Sequence, residues 1–310
     1  RDLDIAAAGP VVREISNVFD YFWNGDWAVP ISALVDRAYT KEDLETTSEN
    51  VRQLIAAGNY PYPLDQDVST LRSDLFSIRD QLIWAPGEII WDDPDAIQDG
   101  RQAGKLITAL HNKIDTLQSE LLIEAAYFII RERGVETSRR LKERGVKVRV
   151  LTNSLAANDV LAAHAGYSKT RRELIENGVE VYELRPDAGT VKQRNDSTDS
   201  KTGLHAKALV FDRESVFIGS YNLDPRSANI NTEAGLYVES PELAEQVAAF
   251  MEEGVQPENS YRVLLDDQGD LVWVTEIDGE EVRYDDEPET TFGQRFMSDF
   301  ISILPVDEHL

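Results

Sequence analysis

Residues 141–153 read "LKERGVKVRVLTN", and 33 positions later residues 174–186 read "LIENGVEVYELRP". Each segment is a helix end, a glycine stop (Gly145, Gly178) and a Val-rich strand. A helix-to-strand unit used twice in succession predicts an α/β fold in which helices cover a sheet. The interval also fits ankyrin-like arrays, but two copies that carry strands are too few for a solenoid.

The same alternation extends in both directions. Upstream, "GKLITALHNKIDTLQSELLIEAAYF" (104–128) predicts a helix running into a buried strand around residues 120–128. Val12, Ile15, Val18, Phe19 and Phe22 recur at helical spacing in "GPVVREISNVFDYFWN" (9–24), so an amphipathic helix lies near the start. Residues 26–66 are mixed; Pro30, Pro61 and Pro63 are expected to break any long element there, and "YPYPLDQD" (60–67) reads as a loop between modules. Downstream, "DAGTVKQRNDSTDSKTG" (187–203) is a polar loop suited to gating a site. After residue 256 the chain reads as short strands, with turns at Gln268-Gly269 and Asp278-Gly279, and then a helix around residues 291–302.

Composition narrows the function. There are 57 Asp+Glu against 31 Lys+Arg, a formal charge of -26, so the surface repels other polyanions and nucleic acid is not an expected partner. Clusters at Asp92-Asp93-Asp95 and Asp285-Asp286-Glu287-Glu289 read as solvated acidic surface, and a salt-adapted source would screen their repulsion. Without cysteine there are no disulfides and no thiolate metal ligands. No run approaches the roughly 18 apolar residues of a membrane-spanning helix, and no signal-peptide pattern opens the chain, which begins at Arg1. Trp23, Trp27, Trp84, Trp91 and Trp273 are open to two readings, as core residues or as anchors at a membrane interface.

The chemistry concentrates in "LHAKALVFDRESVFIGSYNLDPRSANINTE" (204–233). In an apolar run from Leu204 to Phe211 only His205 and Lys207 are polar, and a two-residue period puts both on one face of a strand. Burying an imidazole beside an ammonium calls for an anion, and a phosphate satisfies both. Gly219, Ser220 and Asn222 follow Asp212; the glycine admits close backbone approach, while the hydroxyl and amide donate to phosphate oxygens. Glu233 opens the next strand and is the carboxylate expected to orient His205. The plain alternative is a core strand with a satisfied histidine, and for a lone His-x-Lys that alternative is the better one. "HNK" (111–113) is such a case: it lies in a helical pattern, has Gln118 where an aspartate would be needed, and has no Gly-Ser-x-Asn after it.

His205, Lys207 and Asp212 followed by Gly219, Ser220 and Asn222 resemble the HKD motif of the phospholipase D superfamily. "YFIIRERGV", "VRVLTNSLAANDVLAAHAGYSKTRRELIENGVEVYELRP", "GSYNLDPRSANINTEAGL" and "LPVDEHL" are similar to bacterial cardiolipin synthase-like members, especially the cardiolipin synthase C group. The resemblance implies a phospholipase D-like fold, a mixed β-sheet flanked by helices. Family members carry two HKD motifs, and "DLDIAAAGPVVREISNVFDYFWN" (2–24) is similar to the segment after the first. Residues 1–80 are therefore expected to be the tail of a first half with a connecting segment, and residues 81–310 a second HKD domain with a strand and helix extension. The first HKD half is expected to be missing; a second copy in a homodimer is the other way to pair two motifs.

That resemblance also implies the activity: phosphatidyl transfer on phospholipid at a membrane surface, in a bacterial protein peripheral to the cell membrane, without cofactor or metal. A first-half histidine would be the nucleophile, His205 the general acid and base, Lys207, Ser220 and Asn222 the phosphate donors, and Asp212 structural rather than chemical. His164 and Tyr167, in "HAGY", match a family segment bordering the site; a helix-start histidine near the surface is the equal alternative. His309 is expected to be exposed. Two other classes stay open: a hydrolase or phosphodiesterase using the same residues, and an inactive remnant that binds phosphate or lipid.

Overall fold

The computed structural model describes residues 1–37, 39–57, 68–98, 104–188 and 203–304. The anticipated linker 60–67, all but the ends of the polar loop 187–203, and His309 lie outside the described residues. In chain order the described elements begin with α1 (Val11–Asn24), α2 (Ile31–Leu34), α3 (Lys41–Ala57), α4 (Val68–Arg79), β1 (Gly87–Trp91), α5 (Pro94–Gln98) and α6 (Lys105–Thr116). They continue with β2 (Glu120–Ala125), α7 (Glu132–Glu143), β3 (Lys147–Asn153), α8 (Leu161–Glu176), β4 (Glu180–Leu184), β5 (Lys207–Phe211) and β6 (Ser215–Gly219). The last are α9 (Pro225–Asn229), β7 (Ala234–Glu239), α10 (Pro241–Gly254), β8 (Ser260–Leu265), β9 (Leu271–Ile277), β10 (Glu280–Tyr284) and α11 (Phe292–Ile303).

Two compact units divide the chain: Arg1–Val18 with Ala85–Leu310, and Phe19–Trp84. Arg1–Val18, expected to belong with residues 19–80, group with the larger unit. The smaller unit corrects one expectation, because residues 26–66 hold the 17-residue helix α3. No proline lies between Pro30 and Pro61. Thr40 caps the helix reciprocally, its N–H donating to Asp43 Oδ2 at 2.9 Å while Asp43 N–H donates to Thr40 Oγ1 at 3.2 Å.

In the larger unit the described strands form one sheet in the order β1-β7-β6-β5-β2-β3-β4-β8-β9-β10. β2, β3 and β4 run parallel and every other pairing is antiparallel. The twin segments quoted above are α7–β3 and α8–β4. At the first junction Val146 N–H donates to Leu141 O at 2.9 Å and Gly145 N–H to Lys142 O at 2.9 Å, with Gly145 at φ +78°. Gly178 repeats the arrangement at φ +81°, a left-handed stop that costs a side-chain-bearing residue roughly 1 kcal/mol or more.

Alternation along the central strands sorts two cores. Leu121, Ile123, Leu209 and Phe217 face a cluster built with Leu106, Leu110 and Ile114 of α6, Leu141 of α7 and Leu174 of α8. Leu122, Ala208, Val210 and Ile218 face the other side, against Val247 and Met251 of α10, with Leu3 and Ile5 packed alongside. Each fully buried Leu or Ile contributes about 1.5–3 kcal/mol. The turn at Asp278-Gly279, both with φ above +50°, joins β9 to β10 as the sequence anticipates. Trp273 is a core residue at 3% exposure, whereas Trp23, Trp27 and Trp84 are exposed.

Candidate active site

The motif's spacing is the length of a β-hairpin. β5 leaves one edge of the sheet at Lys207, turns through Asp212 and Arg213, both with positive φ, and returns as β6 with Ile218 opposite Ala208. Gly219 therefore arrives beside the start of β5 and also faces Gly235 of β7. A Cβ on Gly219 would meet Ala234 O at 2.4 Å, so the strands approach there too closely for a side chain. The C-terminal ends of β1, β2 and β6 and the start of β7 share this edge, because Ala125 pairs with Lys207 and Trp91 with Ala234.

Asp212 is at the other end of β5, seven residues from His205 or about 20 Å at the rise of a strand. It takes no part at the His205 edge. Its carboxylate accepts from the N–H groups of Gln118 at 2.8 Å, Ser119 at 2.7 Å and Glu120 at 2.9 Å, and from Ser119 Oγ at 2.8 Å. Burial pushes its pKa up, but these donors outweigh burial and hold it below the usual range. Asp212 thus fixes the turn that enters β2.

The ordered strand begins at Lys207, so His205 stands just before it and is exposed rather than buried. Three partners position it. The amide of Asn153 brackets the preceding residue, accepting from Leu204 N–H at 2.7 Å and donating to Leu204 O at 2.9 Å. Arg1 O accepts from His205 N–H at 2.8 Å. The ring Nδ1 lies 3.0 Å from Asp2 Oδ2. A carboxylate only accepts, so Nδ1 carries the proton and Nε2 points its lone pair or second proton elsewhere. Burial would raise the Asp2 carboxyl, but the bond to His205 and the charge of Lys207 hold it low.

Lys207 is half-buried and donates to His205 O at 2.6 Å. Burial lowers its ammonium pKa, opposed by the carboxylates of Asp2, Glu233, Asp224 and Asp159. Ser220 Oγ donates to Glu233 Oε2 and accepts from Ala234 N–H at 3.1 Å. Asn222 Oδ1 is buried with no hydrogen-bond partner among the described residues. Glu233 corrects a second expectation, since its carboxylate receives Ser220 and, at 3.1 Å, Asn231 Nδ2, while His205 is held by Asp2. Its backbone pairs with buried Asp92, whose other oxygen accepts from Leu106 N–H at 2.9 Å. Beside these, Tyr127 donates to Asp159 at 2.9 Å, and burial with that carboxylate pushes the phenol up to about 12.

Residues 110–254 match the family described as cardiolipin synthase, PLD-like domain. Over 99% of its length the chain is 33% identical to cardiolipin synthase C of Escherichia coli K12, and spans 65% of that protein. Residues 110–254 are thus similar to a phospholipase D-like domain. Against cardiolipin synthase B of Escherichia coli K12 it is 26% identical over 49% of the chain and 33% of that protein. Among solved structures, phosphatidylserine synthase of Haemophilus influenzae Rd KW20 aligns at 15% identity with a TM-score of 0.47, covering 80% of this chain and 53% of that one.

The HAGY residues of this phospholipase D-like chain are engaged elsewhere. His164 is 1% exposed; its Nε2 meets Glu287 Oε1 at 3.1 Å, its ring packs edge-on against Tyr167, and neither residue hydrogen-bonds to a motif residue. Tyr167 and Arg171 donate to Glu183 Oε1 at 3.0 and 2.7 Å, Trp273 Nε1 donates to Glu183 Oε2 at 2.9 Å, and Arg171 also reaches Glu287 at 2.8 Å. Against burial, Arg171 and His164 hold the Glu287 carboxyl down to about 2, whereas burial raises that of Glu183. This is a structural ion network joining α8, β4 and β9 to the segment after β10.

Asp2 and Asn153 are site residues that the motif does not announce. A signal for Asp2 exists in the sequence: it stands eight residues before Pro10 in "DLDIAAAGP", and Glu233 stands eight residues before Pro241 in "EAGLYVESP". Each proline is followed by a helix, α1 or α10. Among the described residues, no group of three or more histidines and carboxylates is arranged to hold a metal ion.

Proposed function

We propose that the chain supplies the second catalytic half of a phosphatidyltransferase that works through a phosphohistidine. The observation that carries this reading is the Asp2–His205 pair, which fixes one tautomer and leaves Nε2 free for proton transfer, at the sheet edge that also holds Lys207 and Gly219. The 33% identity to cardiolipin synthase C over nearly the whole chain supports the substrate class. Residues 1–18 are read as the closing segment of a preceding half, supported by the repeated acid-to-proline spacing.

In the first displacement a histidine of the preceding half attacks phosphorus, a P–N bond forms, the ester P–O bond breaks, and His205 gives its Nε2 proton to the leaving alkoxide. In the second, an acceptor alcohol loses its proton to His205 Nε2 and attacks phosphorus while the P–N bond breaks. Asp2 stabilises the imidazolium that His205 forms before the first proton transfer and again after the second, while Lys207, the Asn222 amide and Ser220, once its hydroxyl turns from Glu233, donate to the phosphoryl oxygens. Asp212 holds the hairpin. The enzyme works at the surface of a bacterial membrane, and no described helix is long and apolar enough to cross one.

Product analysis tests this. The complete protein, given phosphatidylglycerol and a lipid alcohol, should yield a cardiolipin-type product that disappears in His205→Ala. Phosphatidic acid as the dominant product would replace transfer with hydrolysis. The isolated chain should show near-blank turnover, and strong His205-dependent turnover from it would mean that two copies pair their motifs.

A further inference from the structure

A cavity of about 270 Å³ opens into the main core between α6, α7, β2 and the segment that follows Asn222. Its wall is mainly apolar, with Leu121, Ile123, Phe128, Leu141 and Leu223 among the lining residues, and His111 and Asp224 are among the polar groups that reach it. Protein interiors pack like organic crystals, and an apolar void of about 150 Å³ already binds a small hydrocarbon in preference to water. A larger hollow of the same character is built for an apolar ligand.

Two features tie the cavity to the site. Tyr221 and Leu223 line it while the neighbouring Ser220 and Asn222, assigned above to the phosphate, do not, so one stretch of chain borders both compartments. The loop after β2 is bound to that stretch, with Ile129 N–H donating to Leu223 O at 2.7 Å. That loop ends at Arg131, and Arg133 follows in the first turn of α7; both are exposed guanidiniums on the cavity's rim, in a chain of net charge -26. Lys207, Ser220 and Asn222 account for the reacting phosphate. A second cationic point beside an apolar hollow matches a second phosphate attached to a hydrocarbon chain.

We infer that this cavity, with Arg131 and Arg133, is the subsite for the acceptor phospholipid, whose acyl chain enters the hollow while its phosphate meets the two guanidiniums. This rests on the phosphatidyltransferase reading for the word acceptor, but the binding itself does not depend on catalysis. The acceptor's free hydroxyl then reaches toward His205 from the side of Asn222.

Two measurements test it. Binding of cis-parinarate to the 310-residue chain, followed by fluorescence, should saturate at one site and be displaced by palmitoyl lysophosphatidylglycerol. Thr137→Trp and Ala228→Phe, both on the cavity wall, should abolish that signal with unchanged circular dichroism; whichever variant folds suffices. Parinarate binding that persists in a folded variant, or displacement by palmitate but not by the lysophospholipid, overturns the proposal. In the complete protein with a dihexanoyl donor, these variants and Arg133→Gln should raise KM for a long-chain lipid acceptor at least tenfold. Turnover with ethanol as acceptor should be unchanged. Equal loss with both acceptors overturns the subsite. Absence of transfer in the unsubstituted protein would instead refute the transferase reading, while the parinarate arm still reads the cavity.

Discussion

The imidazole of His205 meets the carboxylate of Asp2 at 3.0 Å across 203 positions of sequence, and this pair decides which ring nitrogen is free. Asp2→Asn keeps the shape but offers a donor as readily as an acceptor, so it admits the wrong tautomer. In the complete protein kcat should fall on the order of 10²–10⁴-fold with KM little changed. Steady-state kinetics on phosphatidylglycerol would check it; a change confined to KM contradicts the assigned role.

Asp212 should matter for stability and not for the chemical step. Asp212→Ala strands three N–H donors, and a loss of about 2–3 kcal/mol is expected. Because its carboxyl is held low in the folded state, that contribution is present above the ordinary carboxylate pKa near 4 and fades as pH falls below it. Denaturant melts of wild type and variant at pH 7 and pH 3 should converge at the lower pH.

Arg171→Leu removes the cation between Glu183 and Glu287 and leaves buried carboxylates without their partner. Loss of about 3–5 kcal/mol is expected, as for breaking any buried pair from one side. Glu287 is depressed to about 2, so its share of stability is present above about 4.5 and is lost only as pH drops toward 2. Thermal melts across that window should show a shallower acid dependence in the variant.

Gly219→Ala should be poorly tolerated because the new methyl meets the Ala234 carbonyl and the Gly235 Cα at 2.4 and 2.6 Å, which are backbone atoms with no rotamer to yield. A destabilisation of about 2 kcal/mol or more is expected, read from the melt. A wild-type melting point would show that β6 and β7 can separate at this edge.

The sequence made most of this fold legible where local chemistry and the tertiary structure agree. Gly145 and Gly178 marked helix ends that form, and the Gly-Ser-x-Asn spacing followed from a hairpin that returns on itself. α3 was hidden because prolines at 30 and 61 drew more weight than the uninterrupted stretch between them. Glu233 is nearer to His205 in sequence than Asp2 is, yet its carboxylate is taken by Ser220 and Asn231. The partner that arrives, Asp2, lies beyond any window of local pattern, and only its spacing to Pro10 betrays it. His164 and Tyr167 show the converse: their resemblance to a family segment bordering the site suggests a role there, but Glu183, Arg171 and Glu287 tie them into a separate network.

The bracket around His205 also sets a clock. Arg1 and Asp2 leave the ribosome well before the strand they complete, and at roughly 5–20 residues per second the interval is about 10–40 s. During it Leu3 and Ile5 have neither β5 nor α10 to cover them. The hairpins β5–β6 and β8–β9–β10 close within microseconds of emerging, whereas the imidazole gains its carboxylate only once two segments 203 positions apart have met. Formation of the site is thus tied to a long-range contact, and sheltering the segment around Asp2, Leu3 and Ile5 until β5 is made would raise the yield of active molecules.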